Sequence, residues 1–439
     1  MTSTGFDSEP RTDDRNAEPL IFANARQVVT CTGPARGRRG MEMSDAVIQS
    51  DVAVAVAQGL IAAIAPLDEL RATYRDAGEI DCRGGVLMPG LVDSHTHGVF
   101  GRARADEQEL RAAGYDYMEI ARRGGGIHAS VRDLRAHSEE TLFELARRRL
   151  MRLAAFGTTT IEVKSGYGLS LDDELKTLRV IDRLRRELPV RIVPTFLGAH
   201  EIPLEYRSSA TARTAYIEIV INDMIPIVAR NGLARFADVF CETGVYTVDE
   251  SRQILTAARR AGLLLKLHAD ELTSSGGAEL AAALAATSAD HLGAISDAGI
   301  AALARASTVA TLLPGTMLFL GKSTKAPARR LIESGVPVAL ATDFNPGTSP
   351  TPNLPLILTL GVSQLHLSAA ESVIAATVNG AAALGMADHI GQITPGFAAD
   401  LALFDVEDLR DVPYWYGDNR CVATFVGGKP CHTSDLGLC

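Results

Sequence analysis

Two histidines, His95 and His97, follow the apolar run 85–91 and are the residues best suited to chemistry. Side chains alternate across a β-strand, so histidines at positions i and i+2 project from the same side and can bind one metal ion. An isolated pair of this kind is more often two surface histidines at a strand end. Metal binding by this pair is favoured here because His268 and Asp343 each end another apolar run further along the chain.

Three histidines and one carboxylate form a donor set that suits Zn²⁺ and leaves room for a bound water. Bound zinc lowers the pKa of that water to roughly 7, which provides a nucleophile at neutral pH. Taken singly, His268 could be a hydrogen-bonded histidine, and Asp343 could be an N-cap before the turn 345–347. The four residues together, at the ends of three different strands, predict a metal site.

The elements that would position these residues are strands alternating with helices, which is typical of a parallel α/β sheet. Helical spacing is found in stretches 139–155, 172–187, 212–230, 248–261 and 277–286. Apolar or β-branched runs cover 86–97, 158–165, 191–200, 236–242, 263–268, 288–291, 308–313 and 336–343. Eight such units predict a (β/α)8 TIM-type barrel, whose chemistry lies at the C-terminal ends of the strands. An open doubly wound sheet is the alternative, but no G-x-G-x-x-G opens a helix after the first strand.

Short β-type runs flank the predicted barrel on both sides, before residue 84 and after residue 390. The simplest arrangement is a small discontinuous β-sandwich built from both chain ends. We therefore expect a disordered polar tail over 1–18, sandwich segments over 19–84 and 389–439, and the barrel over 85–388.

The composition of the 439 residues, 46% hydrophobic and 22% charged, allows a large core. The net charge of −10 is spread without a basic stripe, which argues against nucleic acid and membrane partners and favours a small-molecule substrate. The 6 cysteines lack C-x-x-C spacing and are expected to be reduced thiols. Because the sequence contains neither a signal-like core nor a membrane-length apolar run, we expect a cytoplasmic protein.

The ordered set of segment 89–97, His268 and Asp343 resembles the amidohydrolase superfamily in its form with one metal. Further segments narrow the resemblance to the imidazolonepropionase family: 124–127, 162–169, 194–200, 268–271, 288–291 and 342–347. The resemblance spans about residues 20–430. It implies hydrolysis of the ring of 4-imidazolone-5-propanoate to N-formimidoyl-L-glutamate, a step of histidine degradation.

The resemblance also implies roles for individual residues. It implies one metal per chain, zinc or else iron, held by His95, His97, His268 and Asp343. Besides Asp343, the implied catalytic residues are Glu271, as a proton relay, and His291, which would orient the water or polarise the ring carbonyl. The implied substrate contacts are Arg104, Tyr167, His200, Glu271, Asn345, Gly347 and Thr348. Arg104 would bind the carboxylate tail of the substrate, while Arg102 is expected to be a solvated loop charge.

Other hypotheses stay open at this stage. A deaminase of an amino-substituted heterocycle would share the metal ligands and Glu271. The set of Arg104, Tyr167 and His200 suits a substrate with an acidic tail better than a neutral base. A catalytically inactive barrel that serves as a binding module is disfavoured by the complete ligand set. Lys164 at a strand end could be the carbamylated lysine of two-metal relatives, but the residues around it resemble those of the one-metal imidazolonepropionases, which favours one metal. A homodimer is among the expected assemblies.

Overall fold

The computed structural model describes residues 18–115, 119–120 and 123–434. Its strands, in chain order, are β1 (Leu20–Ala23), β2 (Gln27–Val29), β3 (Ile48–Gln49), β4 (Ala53–Ala57), β5 (Leu60–Ala65), β6 (Gly78–Asp81), β7 (Val86–Pro89), β8 (Leu91–Asp93), β9 (Thr158–Lys164), β10 (Arg191–Ala199), β11 (Phe236–Cys241), β12 (Leu264–Ala269), β13 (Ser288–His291), β14 (Val309–Leu312), β15 (Val338–Leu340), β16 (Leu401–Phe404), β17 (Cys421–Val426) and β18 (Lys429–Thr433).

The α-helices are α1 (Leu67–Thr73), α2 (Ala105–Ala112), α3 (Ile127–Ala136), α4 (Glu139–Ala154), α5 (Leu171–Glu187), α6 (Ala210–Ile219), α7 (Ile225–Arg230), α8 (Val248–Arg260), α9 (Gly277–Ala283), α10 (Asp297–Arg305), α11 (Pro314–Phe319), α12 (Ala328–Glu333), α13 (Leu354–Leu365), α14 (Ala369–Ala375) and α15 (Val378–Ala383). The predicted helix 212–230 is a continuous helical stretch with a π-helical segment, Val220–Met224, between α6 and α7.

Strands β8 to β15 are hydrogen-bonded in sequential order and run parallel. The sheet closes beyond the ends of β8 and β15, where Thr96 bridges Phe344 in parallel. The N–H of Asp343 donates to the carbonyl of His95 at 3.0 Å, and the N–H of His97 donates to the carbonyl of Phe344 at 2.9 Å. These contacts confirm the predicted (β/α)8 barrel, and its closure joins the two segments that carry predicted metal ligands.

The helices cover the barrel because their sequences combine good caps with an apolar stripe. In α4, the Ser138 hydroxyl caps the N–H of Thr141, and residues such as Leu142, Leu150 and Leu153 face inward at helical spacing. The strands are buried between the helices and the barrel interior, and β9, for example, is buried along its whole length.

Two further sheets lie outside the barrel. The four-stranded sheet, in the order β5-β4-β1-β6, contains only N-terminal strands, whereas the six-stranded sheet, in the order β18-β17-β16-β7-β2-β3, combines strands from both ends of the chain. Their facing residues form one core that includes Phe22, Val54, Leu87, Leu401 and Phe425. The predicted discontinuous β-sandwich is therefore confirmed.

The prediction of one strand over 86–97 was wrong, because Val86–Pro89 belongs to the sandwich and Leu91–Asp93 to the barrel. The chain changes layer at Gly90, where the backbone passes so close to Thr159 that a Cβ atom would lie 2.1 Å from its Cγ2. His95 and His97 lie just beyond the end of β8 rather than within a strand.

Most of the predicted tail, residues 1–17, and the last five positions, 435–439, lie outside the described residues. The 5 cysteines in the described part are all free thiols. No helix in that part of the chain is both long and apolar enough to cross a membrane.

Candidate metal centre and active site

The four predicted metal ligands converge at the C-terminal end of the barrel. Oδ1 of Asp343 lies 3.6 Å from Nε2 of His95 and 3.5 Å from Nε2 of His97. Two ligands of one tetrahedral ion, each roughly 2.0–2.1 Å from it, are about 3.4 Å apart. His268 joins the same group, since donor atoms of His95, His97 and His268 lie within 4.8 Å of one another.

The donor atoms of this cluster fit a cation. Nε2 of His95 and Nε2 of His268 are buried, and neither has a hydrogen-bond partner among the described residues. A buried polar nitrogen without a partner is costly, and a bound cation would satisfy it. Burial lowers the pKa of His95 and of His97 well below the usual value, so these rings are neutral and keep a lone pair for a metal.

Two aspartates behind the histidines fix the orientation of their rings. Oδ2 of Asp290 lies 2.6 Å from Nδ1 of His95, and Oδ2 of Asp238 lies 3.0 Å from Nδ1 of His268. Asp238 also accepts the backbone N–H of His268 at 3.1 Å. Each carboxylate therefore favours a proton on Nδ1 and leaves Nε2 for a metal. In the sequence, these partners are marked only by an acidic residue within an otherwise apolar strand.

Lys164 is fully buried and bound by carboxylates. Its Nζ lies 2.7 Å from Oε1 of Glu162, 2.9 Å from Oδ2 of Asp238 and 3.9 Å from Oδ2 of Asp290. Burial opposes the charge of Lys164, but these three carboxylates outweigh it and raise its pKa. A protonated amine has no lone pair with which to take up carbon dioxide, so the geometry argues against a carbamylated lysine.

Asp343 and His291 both have left-handed backbones, with φ values of 51° and 77°. Such conformations are strained for residues other than glycine and persist where neighbours hold them, often at functional sites. Oδ2 of Asp343 accepts a 2.6 Å hydrogen bond from the hydroxyl of Thr316, which leaves Oδ1 directed at the histidines. Burial raises the pKa of Asp343 to about 6, against the opposing effect of Thr316.

Glu271 and His291 face each other beside the metal cluster, with Oε2 of Glu271 3.6 Å from Nδ1 of His291. Both line one cavity, whose other walls include Leu312, Leu313, Met317, Lys322 and Lys325. Burial raises the pKa of Glu271 to about 8, and the charges of Asp343 and Glu242 act in the same direction. Glu271 is therefore suited to hold and release a proton near neutral pH.

His200 and Tyr167 form an aromatic wall on another side of the centre. The ring of His200 stacks on that of His97, with centroids 5.0 Å apart, and the ring of Tyr167 lies 5.4 Å from His200. Nδ1 of His200 lies 3.0 Å from the carbonyl oxygen of Gly166. Gly166 has a φ of 108°, and a Cβ atom there would lie 2.9 Å from that nitrogen.

The loop that carries Tyr167 is held by Glu174, a residue that the sequence analysis missed. Its carboxylate accepts three backbone N–H groups of loop 166–169, at distances between 2.8 and 3.2 Å. In the sequence Glu174 looks like an ordinary acidic residue in the first turn of α5. Because the loop is already held in place, the Tyr167 ring lies against the histidines before a ligand binds, and binding does not have to order the loop.

Arg104 lies immediately before α2, in the loop that follows β8, and contacts the separate loop that follows Asp343. Its N–H donates to the carbonyl of Pro346 at 2.9 Å, and its guanidinium covers Gly347, where a Cβ atom would lie 1.4 Å from Nη2. Nε and Nη1 of Arg104 are buried without a hydrogen-bond partner in the described residues. Arg102, by contrast, has an exposed side chain.

The side chain of Asn345 organises the same loop. Its Oδ1 accepts the N–H groups of Gly347 at 2.8 Å and Thr348 at 2.7 Å, and its Nδ2 donates to the carbonyl of Asp343 at 2.7 Å. The structure thus brings the predicted residues together in two adjoining groups. The ligands, Glu271, His291, His200 and Tyr167 surround one centre, whereas Arg104, Asn345, Gly347 and Thr348 form a second group joined to it through Asp343.

Comparison with known proteins agrees with this geometry. The model of the amidohydrolase family matches residues 86–431. The imidazolonepropionase of Geobacillus kaustophilus is 46% identical over 94% of this chain and 97% of that protein, and that of Symbiobacterium thermophilum is 48% identical over 91% and 93%. Among solved structures, Escherichia coli guanine deaminase superposes with a TM-score of 0.72 at 16% identity, covering 96% of this chain and 100% of that chain. A zinc-bound adenosine deaminase from Xanthomonas campestris has a TM-score of 0.70 at 20% identity, covering 95% and 94%.

The two deaminases share the fold with this chain, and at such low identity the likeness shows the fold alone. The family match and the much higher identity to curated imidazolonepropionases show the family as well as the fold. Both confirm the resemblance read from the sequence motifs. The chain belongs to the amidohydrolase family and, within it, to the imidazolonepropionases.

Proposed function

We propose that this chain hydrolyses the cyclic amide bond of 4-imidazolone-5-propanoate and releases N-formimidoyl-L-glutamate. The observation that carries the proposal is the guanidinium of Arg104, whose Nε and Nη1 are buried without a partner in the described residues, packed on Gly347 in the loop that follows the candidate ligand Asp343. Such a guanidinium calls for an anion, and the propanoate arm supplies one. The curated relatives named imidazolonepropionase support the same substrate.

The metal in this proposal is one divalent ion per chain, zinc, with iron as the alternative. His95, His97, His268 and Asp343 would hold it, and the donor set of three imidazoles and one carboxylate suits either metal. When bound, the ion would polarise the ring carbonyl and acidify water at neutral pH. A single ion is supported by Lys164, because its ammonium already neutralises the carboxylates Asp238 and Glu162.

Glu271 is proposed to carry the proton of the reaction. Water forms a bond to the carbonyl carbon, the bond between that carbon and the ring nitrogen breaks, and the departing nitrogen must gain a proton. The carboxyl of Glu271 takes a proton from the attacking water and passes it to that nitrogen. A pKa near 8 lets one group both accept and donate at working pH, and His291, 3.6 Å away, is placed to orient the same water.

The arm of the substrate is proposed to bind in the second group of residues. The planar fork of Arg104 would pair with the propanoate through two charge-assisted hydrogen bonds, which lysine cannot reproduce. Tyr167 and His200 would flank the ring. A deaminase activity is not favoured, because the relatives at high identity are imidazolonepropionases and the deaminases share only the fold.

The test is direct. Purified chain loaded with zinc is mixed with freshly made imidazolone propionate, and the loss of ring absorbance is followed while mass spectrometry identifies N-formimidoyl-L-glutamate. Guanine and adenosine serve as control substrates under the same conditions. Turnover of a purine without turnover of the imidazolone would overturn the proposal.

Two further predictions concern the whole protein. A cytoplasmic location can be checked by cell fractionation, and a homodimer can be checked by light scattering.

A further inference from the structure

Glu107 is a buried acidic residue near the second group, and neither the sequence motifs nor the mechanism uses it. It lies in the first turn of α2 and is 5% exposed. Its Oε1 accepts the N–H of Gly126 at 2.7 Å and lies 3.6 Å from Nε of Arg104. Its Oε2 lies 3.3 Å from Nη2 of Arg111. A carboxylate buried to this degree is stable only with such compensation.

Both arginines beside Glu107 also contact the loop after Asp343. The backbone N–H of Arg104 donates to the carbonyl of Pro346 at 2.9 Å, and Nη2 of Arg111 donates to the carbonyl of Gly347 at 3.2 Å. Two guanidinium groups share one carboxylate, so the cluster keeps a net positive charge. That charge lies where Nε and Nη1 of Arg104 are buried without a hydrogen-bond partner among the described residues.

We propose that Glu107 is a positioning residue, which holds the guanidinium of Arg104 in the orientation that binds the carboxylate of the substrate. At 3.6 Å the carboxylate of Glu107 attracts the guanidinium of Arg104 but does not form a hydrogen bond to Nε. The N–H of Nε is therefore still able to bind the carboxylate of a ligand. An arginine side chain that is ordered beforehand loses less conformational entropy on binding. The inference rests on the proposed function, since it assumes that Arg104 binds the carboxylate of the substrate.

The alternative role is purely structural, because an acidic residue in the first turn stabilises many helices. The two roles differ in what they affect. A positioning residue changes the affinity for ligands that carry a carboxylate and leaves other ligands and the rate constant alone. A structural residue changes the folding stability and affects all ligands equally.

The kinetic test compares Glu107→Gln with the wild type. Glutamine keeps the shape and can still accept the N–H of Gly126, but it removes the charge. We expect KM for imidazolone propionate to rise about fivefold or more, the scale of one ordinary hydrogen bond, with kcat unchanged. Glu109→Gln is the matched control, because Glu109 is exposed on the same helix, and its KM should equal that of the wild type. A fall in kcat with constant KM would overturn the inference.

A binding test does not depend on turnover. Calorimetry measures the affinity of metal-loaded protein for imidazole-4-propanoate and for 4-propylimidazole, which lacks the charge. The wild type should prefer the propanoate, and Glu107→Gln should lose most of that preference. If Glu107→Gln does not fold, Glu107→Asp replaces it, since its shorter carboxylate should give a smaller preference than the wild type.

The outcomes separate the two proposals. If the wild type prefers the propanoate and the variant does not, the role of Glu107 is supported. This holds even if imidazolone propionate is not hydrolysed, and in that case only the proposed function fails. Equal preference in both proteins, or no preference in the wild type, overturns the inference whatever the turnover.

Discussion

Replacing Gly347 by alanine should weaken substrate binding without destabilising the fold. A Cβ atom at this position would lie 1.4 Å from Nη2 and 2.1 Å from Cζ of Arg104. The nearest atoms all belong to the end of one flexible side chain, and the φ of Gly347 is outside the left-handed region. The backbone can therefore accept alanine, and the guanidinium has to move instead.

The size of the effect follows from this displacement. Unbonded carbon and nitrogen atoms need about 3.5 Å between them, so the guanidinium must shift by about 2 Å. A shift of that size breaks its paired contact with a carboxylate. Hydrogen bonds to a charged group are worth about 1.5–3 kcal/mol, which corresponds to an increase in KM of roughly 10- to 150-fold.

The assay is steady-state kinetics with imidazolone propionate at saturating metal, together with a melting curve. We expect a higher KM, an unchanged kcat and nearly the same Tm. The substitution is then repeated in an Arg104→Ala background, where the guanidinium is already gone and Gly347→Ala should add little. An equal increase in KM in both backgrounds would refute the reasoning, because the methyl group would then act directly on the substrate.

The remaining predictions concern other groups of the site. Arg104→Lys should raise KM by roughly tenfold or more, consistent with a lost charged hydrogen bond, whereas Arg102→Lys should change little; reversed results would move the carboxylate contact to Arg102. Glu271→Gln should keep the metal, measured by elemental analysis, and lose a factor of roughly a hundred or more in kcat, and loss of metal would instead make Glu271 a ligand. His268→Ala should abolish metal binding and turnover while circular dichroism stays native, and a full metal content would contradict its role as ligand. Glu242→Gln removes a negative charge that helps raise the pKa of Glu271, so the limb of the pH profile of kcat/KM that reports Glu271 should move to lower pH, and an unmoved profile would contradict the assignment.

The barrel and its four candidate ligands could be predicted because their signals are local. Strands with apolar runs ending in His268 and Asp343 can be read directly from the sequence, and parallel strands bring those ends together. The sandwich was predictable for the same reason, since β-type runs appear at both ends of the chain. The layer change at Gly90 was not, because the run 86–92 is apolar on both sides of Gly90 and the break arises from contact with Thr159 in another strand.

The residues around the ligands were harder to predict, because their partners are distant in the chain. Asp290 contacts His95 across 195 positions, and Asp238 contacts His268 across 30. No periodicity marks such pairs. The packing of the Arg104 guanidinium on Gly347 could not be predicted either, because it depends on two loops that come together only in the folded protein.

The position of β7 in the six-stranded sheet affects how this chain can fold while it is being made. In the finished protein β7 lies between β2 and β16, and its residues are fully buried. On the ribosome, β2 and β7 emerge early, whereas β16 is translated only after the whole barrel. At about 5–20 residues per second, one edge of β7 stays without its partner for on the order of tens of seconds. An apolar strand with an open edge invites pairing with other chains, so the nascent protein should depend on chaperones until Leu401–Phe404 has emerged.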